Sequence, residues 1–161
     1  MKVEAPSLAA ERPLPAAVRL ADLAEMTKPG ITLMVVLTAG LGFLLAGAER
    51  RTGLSLLLLV NTLFGTGLVS AGGSVLNQVL ERDTDARMQR TANRPLPAGR
   101  IDPDAALLFG VTLAVAGLVW LALAANLPTA LLGAVALAGY VFVYTPLKRV
   151  SSLATIVGAV P

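Results

Sequence analysis

Four long stretches of the chain carry no charged residue. They are Ile31–Ala48 (18 residues), Leu54–Leu80 (27), Ala105–Ala125 (21) and Leu127–Tyr144 (18). Apolar residues occur on every side of these stretches, so no polar face is left for water, as an amphipathic helix or an alternating strand would have. About 20 helical residues cross the hydrocarbon core of a bilayer. The pattern therefore predicts four membrane-spanning helices in an all-α polytopic bundle. A fifth span starts near Leu153, with too few residues before Pro161 to cross.

Residues 1–30 differ. Glu4, Glu11, Asp22 and Glu25 are mixed with basic residues, and no apolar run precedes a small-residue cleavage site, so this is not a secretory signal. Pro6, Pro13 and Pro15 predict a loose start. Ala16–Thr27 predicts a short amphipathic helix, with Val18, Leu20, Leu23, Ala24 and Met26 resting on the membrane surface. The expected organisation is a cytoplasmic segment over 1–30 and a transmembrane domain over 31–161. In the second span, Gly65, Gly67, Gly72 and Gly73 stand among Ser70, Ala71 and Ser74. Small residues let helix backbones approach closely in lipid, or Gly72 and Gly73 leave room for a long apolar ligand.

Composition agrees with the membrane reading. Of 161 residues, 55% are hydrophobic and 14% charged, with a mean hydropathy of +0.74; soluble chains carry about 25% charge. A disordered chain is excluded. The net charge is +3, and in such a chain it points to anionic lipid or an anionic substrate, not to nucleic acid. Eleven basic residues precede span 1, join spans 2 and 3, or follow span 4; two, Arg50 and Arg51, lie between spans 1 and 2. By the positive-inside rule the N-terminus and the loops at 81–103 and 145–152 are cytoplasmic. The chain has no Cys and no His. That excludes thiolate and imidazole metal sites and Cys or His catalysis within these residues, and leaves oxygen donors suited to a hard ion such as Mg2+.

The densest chemistry is NQVLERDTDARMQRTANRPLPAGR, residues 77–100. At about 100° per residue, Asn77, Glu81 and Asp85 form one stripe about 12 Å long, while Asp83 faces nearly away from Glu81. Two carboxylates and an amide oxygen suit Mg2+, which fills its remaining positions with water and phosphate oxygens. Arg87, Arg90 and Arg94 follow, and guanidinium forks match phosphate. Lys28 in TKPG and Lys148 and Arg149 in YTPLKRVSS bring basic groups to the same membrane face, and Pro146 is expected to end span 4. Carboxylates, a divalent ion and basic groups beside apolar helices would make a diphosphate site with room for a lipid chain. The bland alternative is that the charges serve topology and local pairing.

These residues resemble the UbiA superfamily of intramembrane prenyltransferases, and within it the protohaem IX farnesyltransferase branch. The first acidic motif is matched by Asn77, Glu81 and Asp85 with the run DARMQRTANRPLP (85–97), of which RTANRPLP is specific to the haem branch. YTPLKRVSSLATIVGAVP (144–161) and TKPGIT (27–32) also match, and the likeness covers roughly residues 20–161. Two positions depart: the superfamily more often has Asp at Glu81, and many members have Asp at Gln78. A Glu keeps the carboxylate and lengthens its reach.

The resemblance implies transfer of a farnesyl group from farnesyl diphosphate to a vinyl group of haem B, giving haem O. The departing diphosphate would be stabilised by Mg2+ and basic residues, an electrostatic mechanism needing no protein nucleophile. It assigns Asn77, Glu81 and Asp85 to metal and catalysis, and Arg90, Lys148 and Arg149 to diphosphate, with Arg94 and Lys28 as further diphosphate ligands. It also implies a multi-pass place in the bacterial inner membrane, N-terminus cytoplasmic, and contact with a haem A synthase or cytochrome oxidase assembly factors. Superfamily members have about nine spans of about 20 residues each and a second acidic motif later in the chain, so this sequence is expected to be an N-terminal half. Three other readings stay open: a UbiA-type transferase for a quinone or chlorophyll precursor, half of a transporter, and a non-catalytic assembly subunit.

Overall fold

The computed structural model describes residues 20–50 and 55–148. They form α1 (Leu20–Met26), α2 (Pro29–Arg50), α3 (Leu56–Asp85), α4 (Pro103–Trp120), α5 (Leu127–Ala138) and a closing turn α6 (Thr145–Leu147). No strand occurs among the described residues. α4 ends in a π-helical turn, Leu121–Ala125, and α5 runs through another, Gly139–Tyr144, into α6. Four helical stretches are long and apolar enough to cross a membrane: Pro29–Gly47, Leu56–Asp85, Pro103–Ala125 and Leu127–Leu147. The four predicted spans are thus present as helices, each reaching beyond its uncharged run. The anticipated fifth span lies outside the described residues.

Sequence marks the helix starts. Ser55 accepts from the Leu58 amide at the head of α3, and Asp102 accepts from the Asp104 amide at the head of α4, with Pro103 in the first turn. Asn126 takes both the amide and the hydroxyl of Thr129 at the head of α5. These side chains satisfy amides that have no helical partner. Pro146 does not stop the helix at Tyr144: the helical stretch continues through it to Leu147.

α3 is the central element, packed between α4, α2 and the α5 end of the chain. Where it meets α4 the backbones touch. A Cβ on Gly72 would lie 2.6 Å from the Ala114 nitrogen, and one on Gly117 would lie 2.8 Å from the Val69 nitrogen. Gly72 therefore serves close packing. Gly73, one residue on, lines an apolar groove, where a Cβ would lie 3.1 Å from Leu137 Cδ1.

At 30 residues, α3 is about 45 Å long, against a hydrocarbon core of about 30 Å. Its C-terminal end therefore stands clear of the apolar layer when the rest spans it. The loop at 86–102 and α1 cover that end. Met26 is fully buried there with Val75, Leu96, Ile101 and Ala106. Of the other residues expected on the face of α1, Leu23 packs beside this core, Leu20 and Ala24 are exposed, and Val18 lies outside the described residues. Arg100 fastens α1 to the loop. It donates to Asp22 at 2.8 Å, to Glu25 at 3.2 Å and to the Asn93 carbonyl at 2.9 Å.

Candidate functional site

The C-terminal end of α3 buries polar side chains where its periodicity would put apolar ones. Ser74, Asn77, Gln78, Glu81 and Asp85 are all buried. α3 runs unbroken through Asp85, so the stripe of Asn77, Glu81 and Asp85 lies on one helix face as its spacing predicts. Asp83 is on the outer side, 79% exposed and paired with Arg82 at 3.0 Å.

The stripe forms the wall of a cleft of about 790 Å³, lined also by Lys28, Thr84, Met88, Arg90, Arg94, Tyr140, Tyr144 and Lys148. Seven of the eight residues assigned to metal or diphosphate by the resemblance therefore share one cavity, whereas Arg87, grouped with Arg90 and Arg94 by its place in the sequence, is exposed and does not line it. The eighth, Arg149, lies outside the described residues. Three separate segments supply the cations: the α1–α2 junction gives Lys28, the loop after α3 gives Arg90 and Arg94, and the end of the α5 span gives Lys148.

Both carboxylates inside are paired. Lys148 Nζ lies 2.7 Å from Glu81 Oε1, and Arg94 Nη1 lies 2.7 Å from Asp85 Oδ2. Asn77 braces this arrangement. Its Nδ2 donates to Glu81 Oε2 at 2.8 Å, and its Oδ1 accepts from the Thr145 hydroxyl at 2.8 Å. Thr91 Oγ1 donates to the Asp85 carbonyl at 2.8 Å and secures the turn that delivers Arg94. Buried charge is tolerated only with such partners.

Lys28 sits among these groups with its pKa lowered from the usual lysine value. Burial is the main cause, and the nearby Arg94 guanidinium adds to it. Tyr140 and Tyr144 stack with centroids 5.8 Å apart, and Lys148 Nζ lies 5.5 Å from the Tyr144 ring centre. The tyrosines were not singled out from the sequence. Their signal was available: a four-residue spacing one turn before the Lys148 loop, which puts both on one face.

Next to the polar cleft is an apolar groove of about 460 Å³, lined by residues that include Val35, Val69, Gly73, Leu121, Leu132 and Leu137. Ile31 and Tyr140 line both cavities. The two spaces therefore adjoin across these side chains, and together they suit an amphiphile with an anionic head and an apolar tail.

Among the described residues no three acidic side chains cluster as a ready metal site. The two carboxylates and the Asn77 carboxamide are nonetheless hard oxygen donors, and Mg2+ commonly takes one or two carboxylates and completes its shell with water and phosphate. The donors fit Mg2+ by type, on the condition that partners are exchanged: Glu81 now spends its oxygens on Lys148 and Asn77, Asp85 spends one on Arg94, and the Asn77 oxygen accepts from Thr145.

The UbiA prenyltransferase family model matches residues 33–161. The protoheme IX farnesyltransferase of Solibacter usitatus is 44% identical over 146 residues, 87% of this chain and 50% of the relative. That of Myxococcus xanthus is 46% identical over 140 residues, 87% of this chain and 46% of the relative. Protoheme IX farnesyltransferase 2 of Pseudoalteromonas atlantica is 41% identical over 138 residues, 85% of this chain and 44% of the relative. The chain thus spans about half the length of the curated relatives it matches. No solved structure matches it.

Proposed function

Since the chain belongs to the UbiA prenyltransferase family, we propose that its cleft binds farnesyl diphosphate for transfer of the farnesyl group to a vinyl group of haem B, giving haem O. The observation that carries this reading is the adjoining of two unlike cavities at Ile31 and Tyr140. One presents cations and carboxylates for a diphosphate, and the other presents aliphatic side chains for an isoprenoid tail. The relatives' names supply the acceptor and the donor chain.

In this reading Arg90, Arg94, Lys148 and Lys28 bind the diphosphate oxygens, together with Arg149. Arginine contributes forked donors and lysine a point charge. Asn77, Glu81 and Asp85 hold Mg2+, which neutralises the leaving group's charge when bound. The C1–O bond of the substrate breaks with its electron pair on the diphosphate, the vinyl π electrons attack the allylic cation, and a water molecule adds to the carbocation left beside the porphyrin and loses a proton, giving the hydroxyl-bearing side chain of haem O. The cationic wall stabilises the charge that grows on the leaving oxygen. Lys148 and Arg94 line the cleft and are now paired with Glu81 and Asp85, so binding a diphosphate would exchange those partners.

The same reading puts the protein in the bacterial inner membrane with its N-terminus in the cytoplasm. The meeting of Lys28, Arg94 and Lys148 at one end of the bundle supports the charge-based orientation. A transporter half finds less support. Among the described residues, the buried polar and charged side chains gather at one end and do not line a path through the bundle.

The test is product analysis. Membranes holding the longest polypeptide its gene encodes, given farnesyl diphosphate, haem B and Mg2+, are expected to yield haem O by mass spectrometry. Transfer to a quinone precursor with haem B left untouched would overturn the acceptor assignment and keep the prenyl-transfer chemistry.

A further inference from the structure

Gln78 is buried beside the acidic stripe and does not line the cleft. Its Nε2 donates to the Met26 carbonyl at 2.6 Å and to the Ser74 carbonyl at 3.2 Å. The first of these bonds joins α3 to the junction between α1 and α2, 52 residues away in sequence. Two residues beyond Met26 stands Lys28, whose side chain enters the cleft.

Lys28 has a backbone φ of 48°, alone among the non-glycine residues described. A side chain in this left-handed region costs about 1–2 kcal/mol. It persists only where the surroundings over-determine it. Here three contacts do so. The Met26 side chain is locked in the core, its carbonyl is held by Gln78, and the Thr27 carbonyl accepts from Thr32 Oγ1 at 2.9 Å.

We propose that Gln78 is a positioning residue: through the Met26 carbonyl it holds the left-handed turn that aims the Lys28 ammonium into the diphosphate cleft. The inference rests on the diphosphate reading given above. It assigns a role to a buried carboxamide that touches neither substrate nor metal in that reading. A flexible lysine on a loose junction would pay rotamer and backbone entropy on binding the anion. The Gln78 bond removes the backbone part of that cost in advance.

The test is a binding cycle in lipid nanodiscs with the longest encoded polypeptide, using a slowly reacting farnesyl thiodiphosphate and Mg2+. Gln78→Met keeps the length of the side chain and removes the donor. Lys28→Met is expected to raise Kd about tenfold and Gln78→Met about three- to tenfold. The double variant is expected to bind no more weakly than Lys28→Met alone, because both changes remove the same contact. Full additivity, or wild-type affinity in Gln78→Met, overturns the proposal. Thr32→Val loosens the same turn without touching the core; it should raise Kd two- to fivefold, and only while Lys28 is present. It decides the matter if Gln78→Met does not fold. Wild-type affinity in Lys28→Met overturns the positioning role and leaves the diphosphate reading intact. Failure of the unmodified protein to bind the probe overturns both.

Discussion

The two halves of α3 hold their neighbours by different means. In the first half Leu56, Leu57, Val60 and Phe64 face outward, and the contacts with α4 are made largely by small residues, closing just past the middle of the helix at Gly72 with backbone against backbone. Toward the end of the second half the buried polar residues are Ser74, Asn77, Gln78, Glu81 and Asp85, and the last four are each tied to another segment or to another member of the group. In lipid, apolar burial does not separate a helix–helix contact from a helix–lipid contact, so close packing has to hold the first half together. Near the interface, polar side chains without partners are costly, so a network holds the second half. The first half can be loosened by adding volume and the second by removing one partner.

The largest effect is expected in the second half. Glu81→Gln and Asp85→Asn each leave a lysine or arginine without its counter-charge and remove a charged oxygen from the proposed metal set. Breaking a buried pair from one side costs about 3–5 kcal/mol, so haem O formation should fall about 100-fold or more in either variant. Asp83→Asn changes an exposed side chain outside the cleft and should leave activity within about twofold. Equal losses at Asp83 and Asp85, at equal expression, would show that the loop needs negative charge in general and that the stripe is not the site.

A smaller effect separates glycines of the first half from glycines elsewhere. Gly72→Ala places a methyl against the α4 backbone, which has no room to shift. Overpacking of this kind costs about 1–3 kcal/mol. Gly42→Ala on α2 meets nothing within 4 Å and should be neutral or stabilising by up to about 1 kcal/mol through helix propensity. Thermal unfolding in detergent measures both. A Gly72→Ala variant as stable as Gly42→Ala would mean that α3 and α4 are not held by backbone contact.

The contrast also explains which parts of the molecule are legible from sequence. Uncharged runs show the spans, because hydrophobicity and length are properties of a segment by itself. The stripe is legible because helical periodicity is local. The meeting of Lys28, Arg94 and Lys148 follows in outline from counting charges on loops. The partners are not legible. Thr145 bonds Asn77 across 68 residues, and no periodicity reports such a contact. The sequence reading gave the cations to an outside anion, whereas in the folded chain Lys148 and Arg94 hold Glu81 and Asp85. The tyrosines were overlooked because inside a span an aromatic residue looks like any other apolar one.

Thr145→Val tests the network more gently. It keeps the shape of the side chain and deprives the Asn77 Oδ1 of its donor. An unsatisfied buried acceptor costs about 1–3 kcal/mol. The same variant unpins Asn77 from α6, so Glu81 should lose its fixed orientation as well. Reduced stability with a raised KM for farnesyl diphosphate is expected, and an unchanged KM would confine Thr145 to packing.

The smallest effect concerns the pH response of the cleft. Lys28 titrates below the ordinary lysine value of 10.5, chiefly through burial and then through Arg94, with Lys148 acting the same way and Glu81 and Asp85 opposing. Its folded pKa is depressed, so between that value and 10.5 the unfolded chain binds more protons than the folded one. Stability from this group therefore rises with pH across that window. Diphosphate affinity should move the other way. The anion favours the ammonium, so binding takes up a proton in the same window, and affinity falls as pH rises through the lowered pKa. Lys28→Arg keeps the charge at every accessible pH. Binding of farnesyl thiodiphosphate, followed from pH 7 to 10.5, should decline earlier in the unmodified protein than in Lys28→Arg. Identical declines would mean that Lys28 remains charged throughout, with the carboxylates of Glu81 and Asp85 outweighing its burial.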